Sequence, residues 1–292
     1  MKRFEHDSVT AMNERARLKK ISSQVIKYTL LVIFAFIWVY PFLWMFSASF
    51  KSNGELFKDK TKLIPKQLVL ENFERAWKTA NFSRYFINTV FITVMTIIIV
   101  LVVTLMMGYI LGRYKFKGKG IIMGVIAASM FIPMGFNLIP VFELISKMGL
   151  VNSLWGVILA EAGSLNVVFV LLFSSCFSQI PNEISEAAEI DGCGFFMLFT
   201  KIMVPLSKPI IGSVLIMQFI WTWNAFMMPL VLTLNNASIR TLAVGLYSLK
   251  GELMTDWAGI AAGGSIALIP VIILFICLQK YFVNGIVGAV KG

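Results

Sequence analysis

One polar interval between apolar runs holds the residues best suited to binding chemistry. Glu183, Glu186, Glu189 and Asp191 crowd carboxylates into a short stretch, followed by Gly192 and, further on, Ile202 and Pro205. Carboxylates of this kind accept hydrogen bonds from an arginine fork or a helix N-terminus, which makes the interval a docking surface. Pro181-Asn182 ends the preceding apolar run, and Asn182 is placed to cap a helix over about 183–191 whose first turns carry glutamates at the favourable, positive end. Gly192 supplies the left-handed or close-contact conformation that ends this helix, and a second one runs to Val204 before Pro205 stops it. Two short helices meeting at a sharp bend form a knob able to fill a cleft in a partner. Ala187 and Ala188 permit close backbone approach, and Glu186 offers the carboxylate. From the physics alone, an ordinary amphipathic hairpin at the membrane interface fits equally well.

The elements that position this knob follow from composition. A chain of 292 residues that is 58% hydrophobic and 14% charged has too little polar surface to cover a soluble globule of its size. Apolar runs predict spans at about 28–50, 86–112, 120–142, 155–178, 209–232 and 257–280, each near the roughly 20 residues that cross a bilayer core. The fold class expected is an all-α membrane protein with six transmembrane helices, because unpaired backbone cannot cross hydrocarbon. The roughly 10-residue alternating segments of a barrel do not occur. Residues 1–27 form a polar tail, 28–283 the six-helix domain with the docking loop at 181–207, and 284–292 a second tail. The first apolar run is too long for a signal-peptide core and has no small-residue cleavage site, so it reads as an uncleaved span.

Lys and Arg crowd the N-terminal segment and the short loop with Arg113, Lys115, Lys117 and Lys119, which sets both on the cytoplasmic side. With six spans, both termini and the Glu186 loop then lie in the cytoplasm. The net charge of +11 reflects this topology and attraction to anionic membrane lipid, not nucleic acid. Cys176, Cys193 and Cys277 have no metal-ligand spacing, so no metal site is expected and the three read as free thiols. No Walker-type phosphate loop occurs, so any nucleotide chemistry belongs to another chain. Between the first two spans, Leu70, Phe73, Ala76 and Trp77 have the spacing of a short helix on the outer surface, fit either to touch a soluble partner or to cap the span ends.

The order Glu186-Ala187-Ala188, Gly192, Ile202 and Pro205, with Val204 where leucine is usual, resembles the cytoplasmic signature of permease subunits in bacterial ATP-binding-cassette importers. The resemblance extends over essentially the whole chain to the carbohydrate-uptake branch typified by the smaller maltose permease subunit. It is carried by Asn88-Thr89, Gly108-Tyr109, Ile132-Pro133, Trp223-Asn224 and the tail from Gln279 to Gly292. It implies a type I importer permease that is not itself an enzyme, paired with a second, non-identical permease subunit. It further implies two ATPase subunits carrying ATP and Mg, and an extracellular or periplasmic sugar-binding protein. The residues it assigns to ATPase coupling are Glu186, Ala187, Ala188, Asp191, Gly192, Ile202 and Pro205. The tail from Gly285 resembles segments that reach between the ATPase subunits as a thin extended chain.

A translocated sugar needs hydroxyl partners and aromatic faces, and Gln218, Trp221 and Asn224 fall at i, i+3 and i+6 on roughly one helical side. Asn137, Glu161 and Asn166 add polar groups within other spans, where an acid is expensive enough to suggest a cavity or a partner. The cargo expected is a di- or oligosaccharide. A permease for a non-sugar solute and an ATP-independent secondary transporter are the alternatives. The first is disfavoured for anions by span interiors without Arg or Lys, and the second by Glu161 being the lone candidate carboxylate within the spans.

Overall fold

A computed structural model describes residues 2–59, 61–79, 81–133, 135–163, 167–251 and 255–290. The described residues are helical, with one isolated bridge between Lys250 and Thr255. The first half comprises α1 (Lys2–Ala48), α2 (Asn53–Lys58), α3 (Glu71–Thr79), α4 (Phe82–Arg113), α5 (Lys119–Ser129), α6 (Leu138–Lys147) and α7 (Leu154–Gly163). The second comprises α8 (Val167–Gln179), α9 (Asn182–Ile190), α10 (Phe195–Leu198), α11 (Val204–Leu206), α12 (Lys208–Trp223), α13 (Met227–Leu232), α14 (Leu242–Tyr247) and α15 (Trp257–Val290).

Among the described residues, three helices are long and apolar enough to cross a membrane unaided: Lys20–Ala48 of α1, Phe82–Arg113 and Trp257–Lys280 of α15. Two bent pairs, α7 with α8 at 56° and α10–α11 with α12 at 77°, raise the number to five if each is one span. Hydropathy therefore overstates the continuity of the middle spans. The run 120–142 is α5, a turn and α6; 155–178 is two helices; and 209–232 breaks between Trp223 and Met227. Prolines explain most of these breaks. Pro140, Pro209 and Pro229 all fall in the first turn of a new helix, where a residue without an N–H loses no bond and its ring meets no preceding turn. A proline placed there requires the previous helix to have ended. Only Pro41 and Pro270 are carried inside described helices. At the ends, α1 starts at Lys2 and α15 reaches Val290, so both expected tails continue the helices beside them, and the tail from Gly285 is helical to Val290, not extended.

α4 is the axis of the bundle. Its buried row Thr89, Thr93, Thr96, Val100 and Thr104 recurs every three or four residues and faces the packed interior. Near its end Gly108 and Gly112 bring α8 into backbone contact. A Cβ at Gly108 would stand 2.3 Å from the Phe173 Cβ, and one at Gly112 would stand 2.6 Å from the Ser174 carbonyl oxygen. Two glycines four apart give a smooth groove, the usual way for helices to approach closely where no water drives them together. By contrast, no residue of the apolar window of α1 is buried, and among the described residues α1 packs on α15 near Trp44, Met45 and Ala48.

The segment between α1 and α4 folds as a cap. α3 carries Phe73, Ala76 and Trp77 as the apolar spacing expects, with Leu70 just before its first residue, and it packs on the start of α15. Fully buried Asn72 donates to the carbonyls of Ser49 and Lys51, both at 2.8 Å. Arg75 grips Asp256 with two bonds of 2.9 and 3.1 Å, and Asn53 donates to the same carboxylate at 2.9 Å.

Candidate functional site

The acidic interval forms a bent, two-part knob. α9 spans Asn182–Ile190, with Pro181 at the cap position and Asn182 as the first helical residue, so Asn182 does not cap as its side chain suggests. The α9 C-terminus closes as a Schellman motif. Gly192 takes φ +82°, its N–H donates to the Glu189 carbonyl at 3.0 Å, and the Cys193 N–H donates to the Ala188 carbonyl at 2.9 Å. Only glycine takes this left-handed position without strain. Cys193 also packs against the core cluster that contains Ala188, which seats this helix end on the bundle.

After Gly194 the chain re-enters a helix at Phe195 and passes through a π-turn at Phe199–Met203 into α11. The expected stop at Pro205 does not occur. Pro205 is accommodated near the start of α11, after the Val204 N–H has donated back to Phe199, and the chain turns at fully buried Ser207. The wider π-turn removes the clash that a proline makes with the carbonyl of the preceding turn.

The two alanines do different jobs. Ala188 is buried in the bundle core, while Ala187 is exposed beside Glu183, Glu186, Glu189 and Asp191. Ile202 is half-buried against the core, and Pro205 is exposed. The outward surface also carries Ile190 at 87% exposure and Phe196 at 68%. Carboxylates beside bare aliphatic and aromatic groups suit a partner with a cationic, partly apolar cleft.

Two residues seat this knob on the bundle. Tyr109 of α4 lies within ring-contact distance of Tyr114, Phe177, Phe195 and Phe199, at centroid separations from 5.1 to 5.6 Å, and so ties α4, α8, α10 and the π-turn together. Arg113, at the end of α4, donates from Nη1 to the Ile180 carbonyl at 2.6 Å and from Nη2 to the Ser185 hydroxyl. Sequence reasoning used Arg113 only as a marker of sidedness. The Gly108–Gly112 spacing directly before it was the available signal that α4 and α8 meet here.

The polar residues of α12 do not share one side. Gln218 is 4% exposed and donates to the Thr222 hydroxyl at 2.9 Å. Trp221 is 41% exposed and stacked on Phe169, with centroids 5.4 Å apart. Asn224 is exposed at the end of α12 and donates to the Ile220 carbonyl at 2.7 Å. At about 100° per residue, a spacing of six turns Asn224 well away from Gln218. Asn137 is half-buried before α6, and Glu161 is half-buried near the end of α7. Asn166 lies outside the described residues.

A multi-pass helical membrane protein with a rigid, outward-facing acidic knob is the class that fold and site define. Residues 104–288 match the family described as binding-protein-dependent transport system inner membrane component, and the chain belongs to that family. It is 34% identical to the arabinooligosaccharides transport system permease AraQ of Halalkalibacterium halodurans, over 94% of this chain and 100% of that one. It is 33% identical to the probable ABC transporter permease YurM of Bacillus subtilis, over 98% of this chain and 95% of that one. A chain in the crystal structure of a bacterial ABC transporter involved in import of the acidic polysaccharide alginate superposes with a TM-score of 0.76. The two are 25% identical, with 88% of this chain and 95% of that one covered.

Proposed function

We propose that this chain is the permease subunit of an ATP-driven importer for a di- or oligosaccharide and forms half of a pore with a second, non-identical permease. In this reading it crosses the membrane six times, with α5 and the segment through α6 completing the third crossing and both termini in the cytoplasm. The Lys and Arg residues of the N-terminal segment and of the loop from Arg113 to Lys119 support that orientation. An external sugar-binding protein delivers cargo, and two ATPase subunits beneath the pore bind ATP and Mg and carry out hydrolysis.

The observation that carries the coupling role is the α9–α11 knob itself. It presents Glu186, Ala187 and Ile190 outward on a helix locked by Gly192, while Ala188, Ile202 and the Tyr109 rings fix its inner side. A knob held this firmly passes a push from a docked ATPase into the bundle instead of bending. Trp221 on α12 and Asn224 just after it are the candidate groups for sugar contact there, with Asn137, Glu161 and Asn166 as further candidates on the path. Gln218 is already committed to Thr222. The sugar assignment rests on relatives whose names specify arabinooligosaccharide and alginate transport.

The test is co-expression with candidate ATPase and permease partners, followed by uptake of a panel of radiolabelled di- and oligosaccharides and of small non-sugar solutes. ATP-dependent uptake confined to sugars is expected. Uptake without ATP, or of non-sugar solutes only, overturns the assignment.

A further inference from the structure

Three elements meet at the guanidinium of Arg113. It belongs to the last turn of α4, and it holds the Ile180 carbonyl just beyond α8 and the Ser185 hydroxyl in the first half of α9. A planar fork with fixed donor directions constrains both acceptors together, whereas a flexible ammonium would constrain one. Directly before it, Gly108 and Gly112 let α4 and α8 approach until no Cβ fits between them, so these helices cannot slide independently. Tyr109 closes the remaining side by packing on Phe195 and Phe199, which lie beyond the Gly192 turn. Beyond this unit the chain bends by 77° toward α12. The unit α4–α8–α9–α10 therefore has one internal geometry, and among the described residues the Arg113 side chain is its polar lock.

We propose that Arg113 is a positioning residue that makes the α9 knob and the cytoplasmic end of α4 move as one body, so that displacement of the knob is delivered to the α4 axis. This rests on the coupling role proposed above. Without Arg113, α9 remains helical and keeps its exposed acidic face, but it pivots on the Schellman turn and the movement is absorbed locally.

The experiment uses the co-expressed complex with native cysteines replaced by alanine and spin labels at Ile110 and Asn182, both exposed. The label-to-label distance distribution is measured with and without ATP and vanadate, alongside radiolabelled oligosaccharide uptake per ATP hydrolysed. Unsubstituted Arg113 should give a narrow distribution in both states. Arg113→Gln should broaden it and lower uptake per ATP roughly five-fold or more, the lower end of a typical coupling effect, while the ATPase still co-purifies. Arg113→Lys should fall between the two. Ser185→Ala, which loses only one acceptor and leaves α4 untouched, should broaden it less and serves if Arg113→Gln does not accumulate in the membrane. A narrow distribution in both variants overturns the inference, as does broadening with uptake per ATP unchanged. Failure of the importer reading would show separately, as no ATP-dependent sugar uptake with Arg113 in place, and the distance comparison would still decide whether Arg113 sets the geometry.

Discussion

The two ends of the α4 axis are fastened by opposite means. At the Arg113 end, two glycines, a ring cluster around Tyr109 and one guanidinium join elements by shape. At the other end, the cap is held by polar reach: Asn72 ties α3 to the carbonyls just after α1, and Arg75 and Asn53 tie the cap to Asp256 at the start of α15, whose carboxylate also accepts from the Gly259 N–H at 3.0 Å. Close packing resists any change of volume and transmits displacement. Hydrogen bonds and a half-exposed ion pair tolerate substitution and respond to water and protons. The difference suits one end to deliver a push and the other to remain a stable, hydrated cap.

Breaking the packed end should have the larger effect on stability. Gly108→Val places a branched side chain where even a Cβ would lie 2.3 Å from Phe173. Overpacking typically costs about 1–3 kcal/mol and sometimes more, and the upper end is expected because the neighbour is another helix. The check is the yield of monodisperse protein and its thermal unfolding in detergent. Wild-type stability of Gly108→Val would remove the seam from the account. Gly192→Ala is milder, since a non-glycine residue in the left-handed region costs about 1–2 kcal/mol. Its hydrogen exchange should rise at Glu189–Cys193 and remain unchanged in α4.

Breaking the polar end should cost less. Asp256→Asn leaves an acceptor for the Gly259 N–H but removes the charged partner of Arg75, a pair whose arginine is 44% exposed, so about 1 kcal/mol or less is expected. The smallest effect is on pH. Burial raises the Asp256 carboxyl, but the Arg75, Asn53 and Gly259 bonds more than offset it and hold the group below its usual range, while Arg75 is held above its own. A carboxyl depressed in the folded state stabilises above its ordinary value near 4 and loses that contribution as pH falls through the depressed value. Proteolysis of the 49–79 segment in sealed vesicles should therefore be flat from neutral pH down to about 4 and increase below it. Asp256→Asn should remove that acid-dependent increase. A rise between pH 8 and 5 would contradict the sign.

How much of this was legible in the sequence differs between the same two ends. The α9 helix and its Gly192 turn could be read because a Schellman end is local chemistry. Which alanine faces inward could not, since Ala188 is buried only because α4 and α8 stand where they do. The α3 helix was legible from its spacing, but its anchor was not, because Arg75 and Asp256 are far apart in the chain. The apolar runs followed from hydropathy, while their breaks did not: a window average barely registers one proline, yet Pro140 and Pro229 each require a new helix start. Gln218 and Trp221 share α12 and Asn224 follows its last residue, but a stagger of six residues turns Asn224 away from Gln218.

The central claim is that the α9 knob couples ATP use to solute movement. Its most direct test is the ratio of sugar accumulated to ATP hydrolysed in vesicles carrying the whole complex, with Glu186→Lys or Gly192→Pro in this chain. The account expects both variants to insert, with uptake per ATP falling at least ten-fold, equivalent to about 1.4 kcal/mol of lost coupling. An unchanged ratio in both variants would contradict it.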